Sequence, residues 1–209
     1  MKILILGGYG VFGGRLVQLL ADLPQLELLV AGRTLAAAQA FCADYRGEAR
    51  VRPLRVDRQE LAPTLLAEGP DLLIDASGPF QEYGSQRYAA IEACIAAGID
   101  YLDFADAADF VFGVSQFDAQ ARAAGVYVLS GVSSFPVLTA AVLRVMAARM
   151  DILSVEGGIA PSPYAGIGLN VMRAVVGYAG SPVKLRRDGR DGHGVGLAES
   201  RRLTVAVPG

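Results

Sequence analysis

Gly8, Gly10 and Gly13 stand at the spacing G-x-G-x-x-G, inside Lys2-Ile3-Leu4-Ile5-Leu6-Gly7-Gly8-Tyr9-Gly10-Val11-Phe12-Gly13-Gly14. Glycines so spaced bind rather than react. The first permits a tight turn, the second lets backbone approach a pyrophosphate, and the third lets a helix pack closely on a strand. Tyr9, Val11 and Phe12 are the intervening residues that would line such a turn. About twenty residues past the last glycine, an acidic residue would hold the ribose 2′-hydroxyl of NAD. Arg33 stands there instead, followed by Thr34. A planar guanidinium suits a phosphate and a carboxylate would repel one, so the pattern favours NADP over NAD. The competing reading of Arg33 is a surface arginine at a strand end.

Residues able to move protons are few. Lysine occurs only at Lys2 and Lys184, so a Tyr-x-x-x-Lys pair is excluded. The single histidine, His193, lies among glycines and aspartates and reads as a solvated loop residue. Cys94 falls on an apolar helical pattern with Ala90 and Ile91, which argues against a nucleophilic thiol. No metal-ligand spacing is present. Asp103, Asp106 and Tyr83 remain as candidate catalytic groups, with hydroxyls at Ser77, Ser130 and Ser133 nearby. A carboxylate at a strand end accepts a proton if it is desolvated. Helix capping and loop hydrogen bonding are the alternative for both aspartates.

These groups need a frame that brings them together. Ile3–Leu6 is short enough for a strand, and Leu16, Val17, Leu19 and Leu20 recur at helical intervals behind the glycines. Further strands are predicted at Leu26–Ala31, Ala49–Val56, Asp71–Ala76, Ile99–Phe104 and Val126–Leu129. Helices are predicted at 35–45, 86–97 and 108–124, with Gly98 and Gly125 as stops. Asp57 either touches an adenine edge or caps the helix near Gln59. Repeated alternation implies an α/β fold, a doubly wound parallel Rossmann sheet in the order 3-2-1-4-5-6 over residues 1–136. Every loop after a strand then faces one crevice. Ser77, Gly78, Pro79 and Phe80 follow the fourth strand, beside the first, and are expected to border the nicotinamide ribose.

Composition bounds the partners. The chain has 209 residues, 53% of them hydrophobic, and a net charge of −2. There is no basic field for nucleic acid or an anionic membrane. Two cysteines without a disulfide framework fit a reducing cytoplasm, and Ile3–Leu6 runs straight into the glycines rather than into a signal-peptide cleavage site. A soluble cytoplasmic protein acting on a small molecule is expected.

GGYGVFGGRL, AGRT, DLLIDASGPFQEYG and ACIAAGIDYLDFAD together resemble saccharopine dehydrogenase-like NADP-binding proteins. In that group the turn after the fourth strand is similar to (N/D)-x-(A/S)-GP(F/Y)-x-x-(Y/H)-G. A C-x-x-(A/K)-G-x-x-Y-(L/V)-D segment follows, matched here from Cys94 to Asp103. The resemblance covers about residues 1–140. It implies a Rossmann domain with a second, sheet-containing domain, and NAD(P)-linked oxidoreduction on an imine, amino-acid or carbonyl compound. The likeness does not name the reaction, and a non-catalytic NADP-binding regulator or scaffold is the alternative that the missing residues and the short length support.

Residues 137–209 are expected to form a partial α+β domain for substrate or oligomerisation. A helix is predicted at 136–150, a strand at 151–159, a loop at 161–168 and a helix at 169–178. Antiparallel strands are predicted at 183–187 and 197–207, joined by 188–194. The chain stops at Pro208-Gly209 while strands are accumulating, as in a shortened member or a piece of one. An open edge carrying Leu203, Val205 and Val207 would make the protein a homo-oligomer through this sheet.

Overall fold

The computed structural model describes residues 1–155, 157–159 and 168–200. Two compact units divide the chain, Met1–Ala165 and Gly166–Gly209.

The first unit is a Rossmann fold. Six parallel strands, β1 (Lys2–Leu6), β2 (Glu27–Gly32), β3 (Arg50–Arg55), β4 (Leu72–Asp75), β5 (Asp100–Asp103) and β6 (Val128–Leu129), lie in the order β3-β2-β1-β4-β5-β6. Helices α1 (Val11–Leu19), α2 (Leu35–Asp44), α3 (Leu61–Glu68), α4 (Ala89–Ala97), α5 (Ala108–Gly113) and α6 (Asp118–Ala124) connect them. Strand alternation divides the core. Leu4, Leu6, Leu29, Leu73 and Tyr101 point to one face, with Leu61, Leu65, Ile91 and Phe110. Ile3, Ile5, Leu28, Val30 and Ile74 point to the other, with Val17 of α1. Burial on both faces is why these strands read as unbroken apolar runs.

The predicted helix over 108–124 is broken. A 3-10 turn, Val114–Phe117, separates α5 from α6, and it buries Val114 and Phe117 against the core. The predicted start at Gln86 shifts to Ala89, because 3-10 turns at Phe80–Glu82 and Gly84–Gln86 take up the preceding chain. α7 (Ser134–Ala147) begins two residues before Pro136, which a first helical turn tolerates because its N–H groups have no intrahelical partner. The strand expected over 151–159 is absent from its described residues. Leu153 and Ile159 are exposed and, among the described residues, no strand pairs with the segment, so its alternation has no sheet there to serve.

The second unit contains α8 (Leu169–Gly177) and a two-stranded antiparallel sheet, β7 (Pro182–Arg187) with β8 (Arg190–Val195). The partner of β7 is thus the stretch expected to be loop. Asp188 and Gly189 make the turn, at φ 51° and 71°. Asp-Gly with both φ positive is the two-residue turn that matches strand twist. His193 accordingly sits in a strand, opposite Lys184. Residues 160–167 and 201–209, with Leu203, Val205 and Val207, lie outside the described residues. No described helix is long and apolar enough to cross a membrane.

Candidate functional site

The turn after β1 is built from backbone alone. Gly7, at φ +70°, makes the sharp bend, and the N–H of Gly10 donates to its carbonyl at 2.8 Å. Gly8 passes so close to β2 that a Cβ would stand 3.1 Å from the Cα of Val30. Gly13 lies against Gly7, where a Cβ would overlap the carbonyl oxygen. Gly10 occupies the N-cap of α1 and offers no side chain to its first-turn N–H groups. Those donors, between exposed Val11 and Phe12, suit an anion's oxygens.

Tyr9 leaves this turn toward the end of β2. Its ring covers Gly32, where a Cβ would meet it at 2.5 Å. Its hydroxyl oxygen accepts the N–H of Thr34 at 3.1 Å. Thr34 holds the N-cap position of α2 without a capping bond from its side chain. Arg33 is exposed and makes no ion pair among the described residues. Asp57 accepts from the N–H of Gln59 at 3.0 Å, so its carboxylate caps the 3-10 turn Arg58–Glu60.

The end of β4 is built from charge. Asp75 is fully buried and accepts from Arg58 Nε at 2.7 Å. Arg58 also donates to the carbonyl of Arg87 at 2.6 Å and stacks on Tyr83, 3.8 Å from the ring centroid. The other carboxylate oxygen of Asp75 accepts the N–H and hydroxyl of Ser77, at 3.0 and 2.5 Å. Tyr83 and Ser77 hydroxyls are 2.8 Å apart. Since the Ser77 proton goes to the carboxylate, Tyr83 is the donor of that pair. Burial, reinforced by Asp75, raises the Tyr83 phenol far above its ordinary range. Burial works against the charge on Arg58, yet Asp75 keeps the guanidinium protonated more firmly than usual. Phe80 packs 5.0 Å from both Tyr83 and Phe110, centroid to centroid. Gly78 has room: a Cβ there would meet only the Phe80 ring, at 3.8 Å.

At the end of β5, buried Asp103 ties two loops. Its Oδ1 accepts from the N–H of Ala105 (2.9 Å), Ser130 Oγ (2.9 Å) and the N–H of Gly131 (2.8 Å). Its Oδ2 and the Tyr101 hydroxyl have no partner among the described residues. Burial raises the Asp103 carboxyl above its ordinary value, against those three donors. Asp106 is exposed and accepts from Gln81 Nε2 at 3.0 Å, which joins the β5 loop to the Ser77–Tyr83 loop. Burial, with Asp75 adding, pushes the Cys94 thiol up to about 12.

The saccharopine dehydrogenase NADP binding domain family matches this chain over residues 3–129. The chain belongs to that family. A curated relative, carboxyaminopropylagmatine dehydrogenase of Synechocystis sp. (strain ATCC 27184 / PCC 6803 / Kazusa), is 33% identical over 109 residues. That match covers 50% of this chain and 26% of the relative, so the chain spans about a quarter of the relative's length. Apo saccharopine dehydrogenase (L-Glu forming) from Saccharomyces cerevisiae shares the fold, with a TM-score of 0.53 and 19% identity. It is matched over 70% of this chain and 32% of its own.

In this saccharopine dehydrogenase NADP binding domain, the sequence-derived residues fall at carboxyl ends of strands, in the turns that follow them or, for Val11, Phe12 and Gly13, in the first turn of α1. They form two groups. Tyr9, Arg33 and Thr34 gather with the glycines at β1 and β2, while Ser77, Tyr83, Asp103 and Asp106 belong to β4 and β5. Sequence reasoning missed Gly7, which makes the bend it assigned to Gly8, although the doubled glycine was a signal. It also missed Arg58 and Asp75. A carboxylate closing the apolar run of β4 was the available clue, since such a charge, once buried, needs a partner.

Proposed function

We propose that this chain is the cofactor-binding part of an NADP-dependent oxidoreductase, moving hydride between the nicotinamide and an imine, amino-acid or carbonyl substrate. The observation that carries the reading is the turn after β1, where Gly7 and Gly13 meet backbone to backbone and the first turn of α1 has no side-chain cap. The backbone of Gly8, Tyr9, Gly10, Val11, Phe12 and Gly13 holds the pyrophosphate. Arg33 and Thr34 hold the 2′-phosphate, which favours NADP over NAD, and Asp57 shapes the adenosine end through its capped turn. Ser77, Gly78, Pro79 and Phe80 border the nicotinamide ribose. Among the candidate acids, Asp106 keeps an exposed carboxylate at the crevice and is the proton acceptor. Asp103 and Tyr83 orient loops.

A second reading, a non-catalytic NADP-binding regulator or scaffold, is favoured by one observation. The Tyr83 proton and the Asp103 Oδ1 are both spent on loop bonds. Fluorescence titration with NADPH and NADH tests binding, and turnover with a panel of amino and keto acids separates the two readings. Activity that survives Asp106→Asn removes its assigned role. The C-terminal sheet is read as an interface between copies, since a two-stranded sheet alone is marginal in water. A stable monomer in sedimentation at micromolar concentration would reject that.

A further inference from the structure

The adenosine end of the crevice carries more anion-directed chemistry than Arg33. A helix N-terminus at the end of β2 would ordinarily offer its amides to a ribose phosphate. Here the N–H of Thr34 is already taken, by the hydroxyl oxygen of Tyr9 at 3.1 Å. The Tyr9 oxygen therefore stands where a phosphate oxygen would sit on that amide. The ring is not free to leave. It fills the space left by Gly32 and packs against the core cluster of Ile3, Ile5 and Val30. A phenol that accepts from an amide retains its own proton to donate. That donor makes a charge-assisted bond to a phosphate and a weaker one to a ribose hydroxyl.

A second arginine stands on the neighbouring strand. Arg55 is the last residue of β3 and pairs with Gly32 in the sheet register. Strand alternation sets it on the face of Val51, which packs in the cluster that Tyr9 joins. Arg55 is exposed and, like Arg33, has no ion-pair partner among the described residues. The carboxylate of Asp57, two residues on, is turned back to the N–H of Gln59.

We infer that Tyr9 and Arg55 are specificity-determining residues that complete a 2′-phosphate subsite with Arg33, the tyrosine as a fixed hydroxyl donor and the arginine as a second cation. The inference rests on the dinucleotide reading above. Its test is titration of the full chain and of Tyr9→Phe and Arg55→Ala with NADPH and NADH, with 2′,5′-ADP and 5′-AMP as matched fragments. Each variant should bind NADPH and 2′,5′-ADP about ten-fold more weakly, while NADH and 5′-AMP change by less than about two-fold. Circular dichroism of each variant checks that the fold persists. An unchanged NADPH-to-NADH ratio, or equal losses for both, overturns the subsite and leaves the dinucleotide site standing. If the unmutated chain binds neither dinucleotide, the underlying reading falls and this inference falls with it.

Discussion

The two halves of the crevice solve opposite problems. At β1 and β2 the chain has stripped away side chains, and the cations nearby, Arg33 and Arg55, lack carboxylate partners among the described residues. At β4 and β5 the chain has buried two carboxylates, Asp75 and Asp103, and surrounded them with donors. The first half is left open, as the dinucleotide proposed for it would require. The second spends its charges internally to hold loops in place, leaving Asp103 Oδ2 and the Tyr101 hydroxyl without partners among the described residues. Similar residue types therefore carry different meanings at adjacent strand ends. On the proposed reading, the arginines without ion-pair partners at one end are binding groups, while the paired Arg58 at the other holds structure.

The largest effect should come from breaking the second half. Asp75→Ala leaves Arg58, whose side chain is only 12% exposed, without its counter-charge. Removing one partner of a buried pair costs about 3–5 kcal/mol. Urea unfolding should show that loss, and the double variant Arg58→Met with Asp75→Leu should recover much of it. A loss below about 1 kcal/mol for the single variant would place the pair among weak surface bridges.

Arg33→Asp should do the reverse, sparing stability and striking binding. Loss of one charge-assisted phosphate contact corresponds to about 1.5–3 kcal/mol, or roughly ten- to a hundred-fold in NADPH affinity. The urea midpoint should stay put, because Arg33 is exposed and unpaired among the described residues. If NADH binds the unmutated chain as well as NADPH does, the role given to Arg33 is wrong.

Gly78→Val lies between the halves in kind. An added Cβ meets only the Phe80 ring at ordinary distance, and Gly78 is not among the glycines at positive φ, so the fold should survive. Cofactor affinity should fall, since the space it fills is the space assigned to the nicotinamide ribose. Unchanged affinity with native circular dichroism moves that end of the site elsewhere.

How much of this was legible beforehand follows from range. Strand order and the glycine turn were readable, because buried parallel strands and close backbone contacts each leave a local mark in residue type. The break between α5 and α6 left none, since burial of Val114 and Phe117 against the core decides it. The Arg58–Asp75 pair joins residues 17 apart in sequence, one in the 3-10 turn after β3 and the other at the end of β4, beyond the reach of spacing arguments. The hairpin was misregistered because two Asp-Gly pairs, Asp188-Gly189 and Asp191-Gly192, both stood inside the expected loop. The first of them makes the turn, and the second lies within β8.

The smallest effect is the most discriminating, and it concerns Asp103. Its carboxyl is raised above the ordinary 3.8 by burial, so the folded state favours the neutral acid. The associated stability is complete below the unfolded value and is lost as pH rises through the folded one. Asp103→Asn keeps an oxygen for Ala105, Ser130 and Gly131 and cannot ionise. It also brings an N–H donor to the position of Oδ2, on the strand face where the Tyr101 hydroxyl lacks a partner among the described residues. Its stability relative to the unmutated chain should therefore increase as pH climbs from about 3.8, then level off. One added neutral hydrogen bond corresponds to about 1 kcal/mol. Urea midpoints across a pH series measure both quantities. A variant that is instead destabilised at neutral pH, and that binds NADPH but cannot turn substrate over, would return Asp103 from loop anchor to catalytic carboxylate.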